Sequence, residues 1–327
     1  MAQGEFELIA QYFHRPVQRA VLGVGDDCAL LAPKPGMQLA ISSDMLLQGR
    51  HFFADVDPRT LGHKALAVNL SDLAATGAQP LAFTLALALP AVDGPWLQGF
   101  SEGMFALADA HGCELVGGDT TQGPLNICIT VLGEVPAGQA LLRSGAQPGD
   151  DIYVSGQLGD ARLALEALLG QVQLPPVALA AARQRLESPS PRVALGIALR
   201  GIASSALDLS DGLAGDLGHI LQASEVGAEL QADQVLACMA ATAGAPGAAL
   251  NLPIDLQLQC CLAGGDDYEL CFTAAADRRD AVQQASLAAQ TPVQRIGRIT
   301  ATPGLRVRDA QGQPIAQRWA SFDHFKA

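Results

Sequence analysis

Lysine is scarce in this sequence: Lys34, Lys64 and Lys326 are the only lysines among 20 basic residues. A P-loop of the pattern GxxxxGK followed by Ser or Thr is absent. The shortage also excludes the protein-kinase arrangement of a Gly-rich loop followed by a strand lysine. Lysine side chains can therefore contribute little to the binding of any phosphate group.

Motifs of other kinds are absent as well. No HExxH motif occurs, and the six histidines are scattered, so a histidine-based site is not expected. The seven cysteines form no CxxC pair, and their odd number argues for a reducing compartment without a disulfide framework. Residues 1–13 lack a signal-peptide pattern, and no run of about 18 apolar residues occurs. We therefore expect a cytoplasmic protein without a membrane partner.

Acidic residues outnumber basic ones, 33 to 20, and the formal net charge is -13. Such a chain repels nucleic-acid phosphates and anionic lipid headgroups, so no nucleic-acid partner is expected. Most of these carboxylates are interpreted as surface charge that keeps the protein soluble. The positions of the others indicate clusters that bind cations.

The length of 327 residues and the 49% hydrophobic content predict a globular protein with two domains. The segment 136–150 is rich in Gly, Pro and Ala and predicts a boundary between domains 1–137 and 138–327. Strands are expected at 37–41, 81–89, 125–135, 151–155, 204–208, 227–231, 268–273 and 292–299. Helices are expected at 5–13, 60–77, 95–111, 158–170, 176–187, 191–201, 212–223 and 278–290. Because strands and helices do not alternate regularly, two layered α+β domains are predicted rather than a doubly wound sheet.

Six short segments place aspartate beside glycine, serine or asparagine, next to an apolar strand or helix: 23–27, 42–44, 69–72, 117–121, 208–212 and 264–269. Taken singly, each has an ordinary interpretation as a turn, a helix N-cap or a solvated helix face. The third segment lies in the predicted 60–77 helix, where a polar stripe (Asn69, Asp72 and Thr76) is opposite a leucine stripe (Leu66, Leu70 and Leu73). Six in one chain are difficult to explain as chance surface charge. Carboxylate and hydroxyl oxygens are the ligands that Mg²⁺ prefers, and adjacent carboxylates repel unless a cation lies between them. The pattern predicts several bound Mg²⁺ ions.

Two of these segments carry a further prediction. Gly117 and Gly118 can offer backbone N–H groups to a phosphate while Asp119 holds a metal ion. Asp208 and Asp211 are three residues apart and precede a predicted helix, whose N-terminus favours anions. Both segments indicate a site for phosphate and metal together.

The order of these segments resembles that of the thiamine-monophosphate kinase family, in the superfamily of aminoimidazole ribonucleotide synthetase and selenophosphate synthetase. The resemblance spans nearly the whole chain and rests on the stretches GEFELIAQYF, GVGDDCALL, AISSDMLLQGRHF, HKALAVNLSDLAATGA, GGDTTQGPL, RSGAQPGD, LDLSDGLAGDLGHI, GGDDYELCFT and SFDHF. It implies Mg²⁺-dependent transfer of the ATP γ-phosphate to thiamine monophosphate, the last step of thiamine diphosphate biosynthesis. It also implies a homodimer whose N-terminal domains pair through β-structure.

The resemblance assigns residues to three roles. The implied Mg²⁺ ligands are Asp27, Ser42, Ser43, Asp44, Asp72, Asp119, Asp208 and Asp211. The implied ATP contacts are Gly118, Asp119, Arg143 and Ser210. The implied contacts with thiamine phosphate are His51, Asp266 and Phe322.

Two of these assignments have alternatives. Family members often have GGEDYEL where this chain has Asp266, which is one methylene shorter than Glu and implies a longer or water-bridged contact. Phe322 could equally belong to a C-terminal tail that packs on the core.

Two other functions compete with the kinase. The first is the activity of another member of the superfamily. However, this chain does not contain the reactive cysteine in a Gly-rich loop that selenophosphate synthetase uses. A non-catalytic scaffold that binds Mg-nucleotide is the other, and it predicts ATP binding without turnover.

In the implied reaction both donor and acceptor are phosphates, which repel each other. Two unit charges about 4 Å apart cost roughly 4 kcal/mol at an effective dielectric of 20, and three lysines cannot offset this repulsion. A cluster of Mg²⁺ held by carboxylates can offset this repulsion. Arg143 adds a planar guanidinium that donates hydrogen bonds to the phosphates. Because a phosphate oxygen is already negative, no side-chain nucleophile or general base is needed. Direct in-line transfer is therefore predicted.

Overall fold

A computed structural model of the chain describes residues 4–243, 250–316 and 319. The chain forms two compact units. The N-terminal unit comprises Met1–Leu73 and Ala78–Gly138, and the C-terminal unit comprises Ala74–Gly77 and Gln139–Ala327. Each unit combines a mainly antiparallel sheet with helices, which confirms the predicted α+β class.

The N-terminal unit is built on a four-stranded sheet with strand order β1-β4-β2-β3. Strand β4 pairs antiparallel with both β1 and β2, whereas β2 and β3 are parallel. The elements are α1 (Glu5–Tyr12), β1 (Met37–Leu47), α2 (Pro58–Thr76), β2 (Gln79–Leu89), α3 (Gly94–His111), β3 (Glu114–Gln122) and β4 (Asn126–Pro136).

Two helices supply much of the core of this unit. The predicted leucine stripe of α2, Leu66, Leu70 and Leu73, is fully buried, as expected for apolar residues that recur at helical spacing. Helix α3 begins where the Asp93 carboxylate accepts the Trp96 N–H, 3.1 Å away, an N-cap contact that satisfies one exposed donor. The helices therefore begin and pack as their local sequence dictates.

The C-terminal unit is built on a six-stranded sheet with order β10-β7-β9-β5-β8-β6. Neighbouring strands are antiparallel except β10 and β7. Its strands are β5 (Asp151–Ser155), β6 (Ser205–Asp208), β7 (Gly227–Gln231), β8 (Leu270–Ala274), β9 (Val293–Thr300) and β10 (Gly304–Arg308). Its helices are α4 (Asp160–Leu168), α5 (Pro176–Glu187), α6 (Val193–Ala198), α7 (Leu213–Ser224), α8 (Ala232–Leu236), α9 (Ala240–Ala243), α10 (Ile254–Ala263) and α11 (Arg279–Ala288), with a 3-10 helix at Ala276–Arg278.

The predicted element bounds were wrong in several places. Strand β1 extends to Leu47, so that Ser42, Ser43 and Asp44 lie within a strand rather than after one. Residues 117–121 also lie in a strand, β3, because its parallel ladder with β2 outweighs the low strand propensity of Gly and Asp. Elements α8, α10 and β10 were not predicted.

Helices long and apolar enough to cross a membrane were not found in the described residues.

Candidate functional site

Strand β1 and helix α2 bring together polar side chains from two of the predicted segments. The Ser42 hydroxyl donates a hydrogen bond to Oδ2 of Asp72. Two residues further along β1, the Asp44 backbone N–H donates to Oδ1 of Asn69, 3.1 Å away. Alternate residues of a strand share a face, and these two face the polar stripe of α2. The stripe predicted on the 60–77 helix thus lies against the strand rather than in solvent.

Ser43 lies on the opposite face of β1. Its hydroxyl donates to the carbonyl oxygen of Ile129, 3.1 Å away, and lies 3.0 Å from Oγ1 of Thr130 on β4. The structure therefore separates Ser43 from the pair formed by Ser42 and Asp72.

A cavity of about 640 Å³ in the N-terminal unit joins the first and fourth acidic segments. Asp26, Asp27, Gly118 and Asp119 all line it, and the three carboxylates are exposed. Gly118 has φ 145°, and a Cβ atom there would overlap the carbonyl oxygen of Leu85 on the neighbouring strand. Only glycine fits this position, which leaves the strand backbone open to a ligand in the cavity.

His51 lies in the turn that follows β1. Its Nδ1 accepts the backbone N–H of Leu47, 3.0 Å away, so that the proton of the neutral ring is on Nε2. Its carbonyl oxygen accepts Nζ of the buried Lys64, 3.3 Å away. The Leu47 contact orients the imidazole, and the Lys64 contact holds the backbone that carries it.

In the C-terminal unit, the segments 208–212 and 264–269 pair through their backbones. The N–H of Asp266 donates to the carbonyl oxygen of Ser210 over 2.9 Å, and the N–H of Tyr268 donates to that of Leu209 over 2.8 Å. This pairing brings together the segments that carry four predicted site residues, Asp208, Ser210, Asp211 and Asp266.

The second of these segments has an unusual backbone. Asp266 has φ 66° and Tyr268 has φ 48°, in the left-handed region that residues other than glycine rarely adopt. Such strain persists where the surroundings impose it, and it is common at functional sites. The geometry is therefore consistent with a site at this loop.

Asp216, which was not among the predicted site residues, holds the first of the two segments in place. Its Oδ2 accepts the backbone N–H groups of Ser210, Asp211 and Gly212 at 3.0, 3.0 and 3.1 Å. Burial raises the pKa of this carboxyl to about 7, against the effect of the three donors. Asp216 lies in the first turn of α7, four residues after Gly212. This position could have indicated its role, because acidic residues there often accept the N–H groups at the start of a helix.

Glu269 anchors the second segment. Its fully buried carboxylate accepts the Ser155 hydroxyl at 2.6 Å and ion-pairs with Arg185 and Arg192 at 2.7 and 2.6 Å. Removing one partner of such a pair would leave a buried charge uncompensated. Glu269 is therefore interpreted as a structural support of the loop.

Arg143 lies in neither of these segments. Arg143 is exposed in the segment before β5, where its carbonyl oxygen accepts the Ser224 hydroxyl at 3.3 Å. Phe322 lies outside the described residues.

The predicted metal ligands come together in small sets. Across the described ranges, no group of three or more His, Cys, Asp or Glu side chains is placed to hold one metal ion. Magnesium often binds through one or two protein carboxylates, with waters and substrate phosphates as the other ligands. The carboxylates that line the cavity, and the hydroxyl and carboxylate that meet between β1 and α2, fit that requirement.

Comparison with known proteins adds an independent result. Residues 25–135 match the family described as AIR synthase related protein, N-terminal domain, and residues 147–310 match the corresponding C-terminal domain. The thiamine-monophosphate kinase of Salmonella typhimurium is 47% identical over 332 residues, 99% of each chain.

Two solved structures are similar along most of the chain. The thiamine-monophosphate kinase of Stenotrophomonas maltophilia K279a has a TM-score of 0.82 at 44% identity and covers 96% of this chain and 99% of its own. AaThiL complexed with AMPPCP and TMP has a TM-score of 0.74 at 28% identity and covers 90% of this chain and 89% of its own.

A chain with this two-unit α+β fold, matched in both units, belongs to the AIR synthase related family. Within that family its place is among the thiamine-monophosphate kinases, since the identity to the Salmonella enzyme extends over the full length of both proteins.

Proposed function

We propose that this chain catalyses the Mg²⁺-dependent transfer of the γ-phosphate of ATP to thiamine monophosphate, giving thiamine diphosphate and ADP. The observation that carries the proposal is the cavity lined by carboxylates of two acidic segments and by the glycine backbone of β3. The similar AaThiL structure holds AMPPCP, an analogue of ATP, together with TMP. The activity is also the one for which the Salmonella relative is named.

The N-terminal unit supplies one part of the machinery. Gly118 opens the strand backbone to phosphate, while Asp27 and Asp119 present carboxylates to the same cavity. We assign Ser42, Ser43, Asp44 and Asp72 as further oxygen ligands for Mg²⁺, with Ser43 on the opposite strand face from Ser42. His51 is assigned to thiamine phosphate, with its ring oriented by Leu47.

Further residues are assigned in the C-terminal unit. Asp208 and Asp211 are assigned as Mg²⁺ ligands and Ser210 as an ATP contact, because they share one segment held by Asp216. Asp266, in the paired segment, and Phe322 are assigned to thiamine phosphate, and Arg143 to the ATP phosphates.

When bound, Mg²⁺ would neutralise part of the charge on the two phosphates. The residues themselves bind and orient the reactants, and none is required to act as a nucleophile or base, because the attacking phosphate oxygen carries its own negative charge. The transfer is therefore direct and in line, without a phosphoenzyme.

A coupled assay of ADP release tests the proposal. ATP and Mg²⁺ are supplied with thiamine monophosphate, thiamine or an unrelated phosphomonoester as acceptor. We expect ADP release to depend on thiamine monophosphate and Mg²⁺. Equal rates with all acceptors, or a labelled phosphoenzyme trapped with ATP alone, would contradict the proposed reaction.

We also propose that two copies of the chain pair through the N-terminal unit. Strand β1 is at the edge of its sheet, and its alternate residues Leu39, Ile41, Met45 and Leu47 are exposed on one face. An apolar face continuous with a long edge strand tends to associate with another chain. A second copy is the occupant that we propose, because the same strand edge is then available on both partners.

A further inference from the structure

Helix α1 and its C-cap residue, Phe13, carry two apolar stripes, and the core explains all of one stripe but only the Phe13 end of the other. Leu8 and Tyr12, one helical turn apart, are buried. Phe6, Ile9 and Phe13 follow a different stripe, at spacings of three and four residues, and line the 640 Å³ cavity. The Phe6 side chain is 83% exposed, although exposing a phenyl ring to water is unfavourable.

The rest of the cavity has the opposite character. Asp26, Asp27, Gly117, Gly118 and Asp119 provide carboxylates and strand backbone, which suit phosphate with its cations. A cavity that combines such groups with an apolar aromatic wall suits a ligand that has both a charged group and a flat ring. Its volume is in the usual range for small-molecule sites, about 300–1,000 Å³.

We propose that α1 forms the base-binding wall of the nucleotide site, with the Phe6 ring stacked on the purine of ATP. The inference rests on the proposed function, which assigns Gly118 and Asp119 to ATP. Base stacking on an aromatic side chain covers the exposed ring and orients the nucleotide without hydrogen bonds.

The cavity favours the nucleotide over the other aromatic substrate. Its described lining includes the residues assigned to ATP in this unit, Gly118 and Asp119. It does not include His51, which is assigned to thiamine phosphate. The purine is therefore the ring on which Phe6 stacks.

Three variants test the inference: Phe6→Ala, Phe6→Tyr and, as a matched control, Val177→Ala, which alters an equally exposed apolar side chain on α5 of the C-terminal unit. Isothermal calorimetry measures ADP binding, and steady-state kinetics measure the two KM values. We expect Phe6→Ala to weaken ADP binding and raise the KM for ATP roughly tenfold, which corresponds to the loss of one base stack. The KM for thiamine monophosphate and the melting temperature should not change, and Phe6→Tyr should retain binding.

Other outcomes would overturn the inference. Unchanged ADP binding by Phe6→Ala removes Phe6 from the nucleotide site. A rise only in the KM for thiamine monophosphate assigns the ring to the other substrate, and a change only in oligomeric state assigns it to a subunit contact. ADP binding is measured without the acceptor, so an inactive wild-type protein would contradict the proposed reaction and still leave the stacking test decisive.

Discussion

Individual carboxylates of this acidic chain have two distinct environments. Asp27 and Asp119 are exposed in a cavity, where they can meet a cation. Asp160 and Asp267 are buried and accept hydrogen bonds from backbone N–H groups. Asp160 accepts the N–H groups of two residues of α9. The two carboxylate oxygens of Asp267 accept the N–H of Gly159 at 3.0 and 3.2 Å. Burial raises the pKa of both buried groups. Position in the fold, rather than residue type, therefore separates candidate ligands from structural anchors.

Asp72→Asn tests a candidate ligand. The substitution preserves size but removes the charge that would attract Mg²⁺, so we expect turnover to fall at least about 100-fold, as for loss of an essential electrostatic group. Far-UV circular dichroism should stay unchanged. Asp109→Asn, on the exposed surface of the same unit, is the control and should retain activity because exposed ion pairs contribute little. A fully active Asp72→Asn protein would exclude the ligand role.

Asp267→Asn tests a buried anchor through pH. Because the folded protein holds the Asp267 proton more tightly than the unfolded chain does, the stability that this group contributes is present at low pH and decreases as pH rises through the raised pKa. Between about pH 5 and about pH 8, the free energy of unfolding should therefore fall more for wild type than for Asp267→Asn. Urea unfolding at both pH values measures the difference, with the exposed Asp277→Asn as control. Identical slopes for wild type and Asp267→Asn would show that the group does not titrate in this range.

At the scale of elements, ordinary strands and helices position the candidate site. The alternation of β1 directs Ser42 and Asp44 towards α2, while Ser43 and Ile41 are on the other face. In the C-terminal unit, the start of α7 fixes the preceding segment through Asp216.

Asp216→Ala tests the role of Asp216 as a positioning residue. Loss of the acceptor for three backbone N–H groups should let the 208–212 segment move, so we expect kcat to fall roughly 10–100-fold, as for partners that orient metal ligands. The KM for thiamine monophosphate should change less than kcat. Asp233→Ala, which alters an exposed aspartate in the first turn of α8, is the control. Equal losses of kcat in both variants would indicate general destabilisation rather than positioning.

At the scale of the whole molecule, the open face of β1 predicts the oligomeric state. Ile41 is 62% exposed on this face, and an aspartate there would put a charge into the proposed contact between two copies. We expect wild type to sediment as a dimer and Ile41→Asp as a monomer at the same concentration. Val177→Asp, on an exposed position of α5, should remain dimeric. A monomeric wild type, or a dimeric Ile41→Asp, would contradict pairing through this face.

Most of the architecture could be predicted from the sequence because its signals are local. The apolar runs and the leucine stripe of α2 determined the existence of most strands and helices, since periodic burial reflects neighbouring residues. The bounds of β1 and the existence of β3 could not be predicted, because a parallel or antiparallel ladder with a distant strand stabilises both.

By itself, the sequence determined the family of the chain, through the order of its aspartate-rich segments. The shortage of lysine and those segments also predict metal-assisted phosphate chemistry. Only the tertiary structure decided which carboxylates share a cavity, that Ser43 is apart from Ser42, that Asp216 holds the 208–212 segment, and that Phe6 faces the cavity. The physical reason is that these relations depend on residues far apart in sequence, brought together by strand pairing and burial that local patterns do not encode.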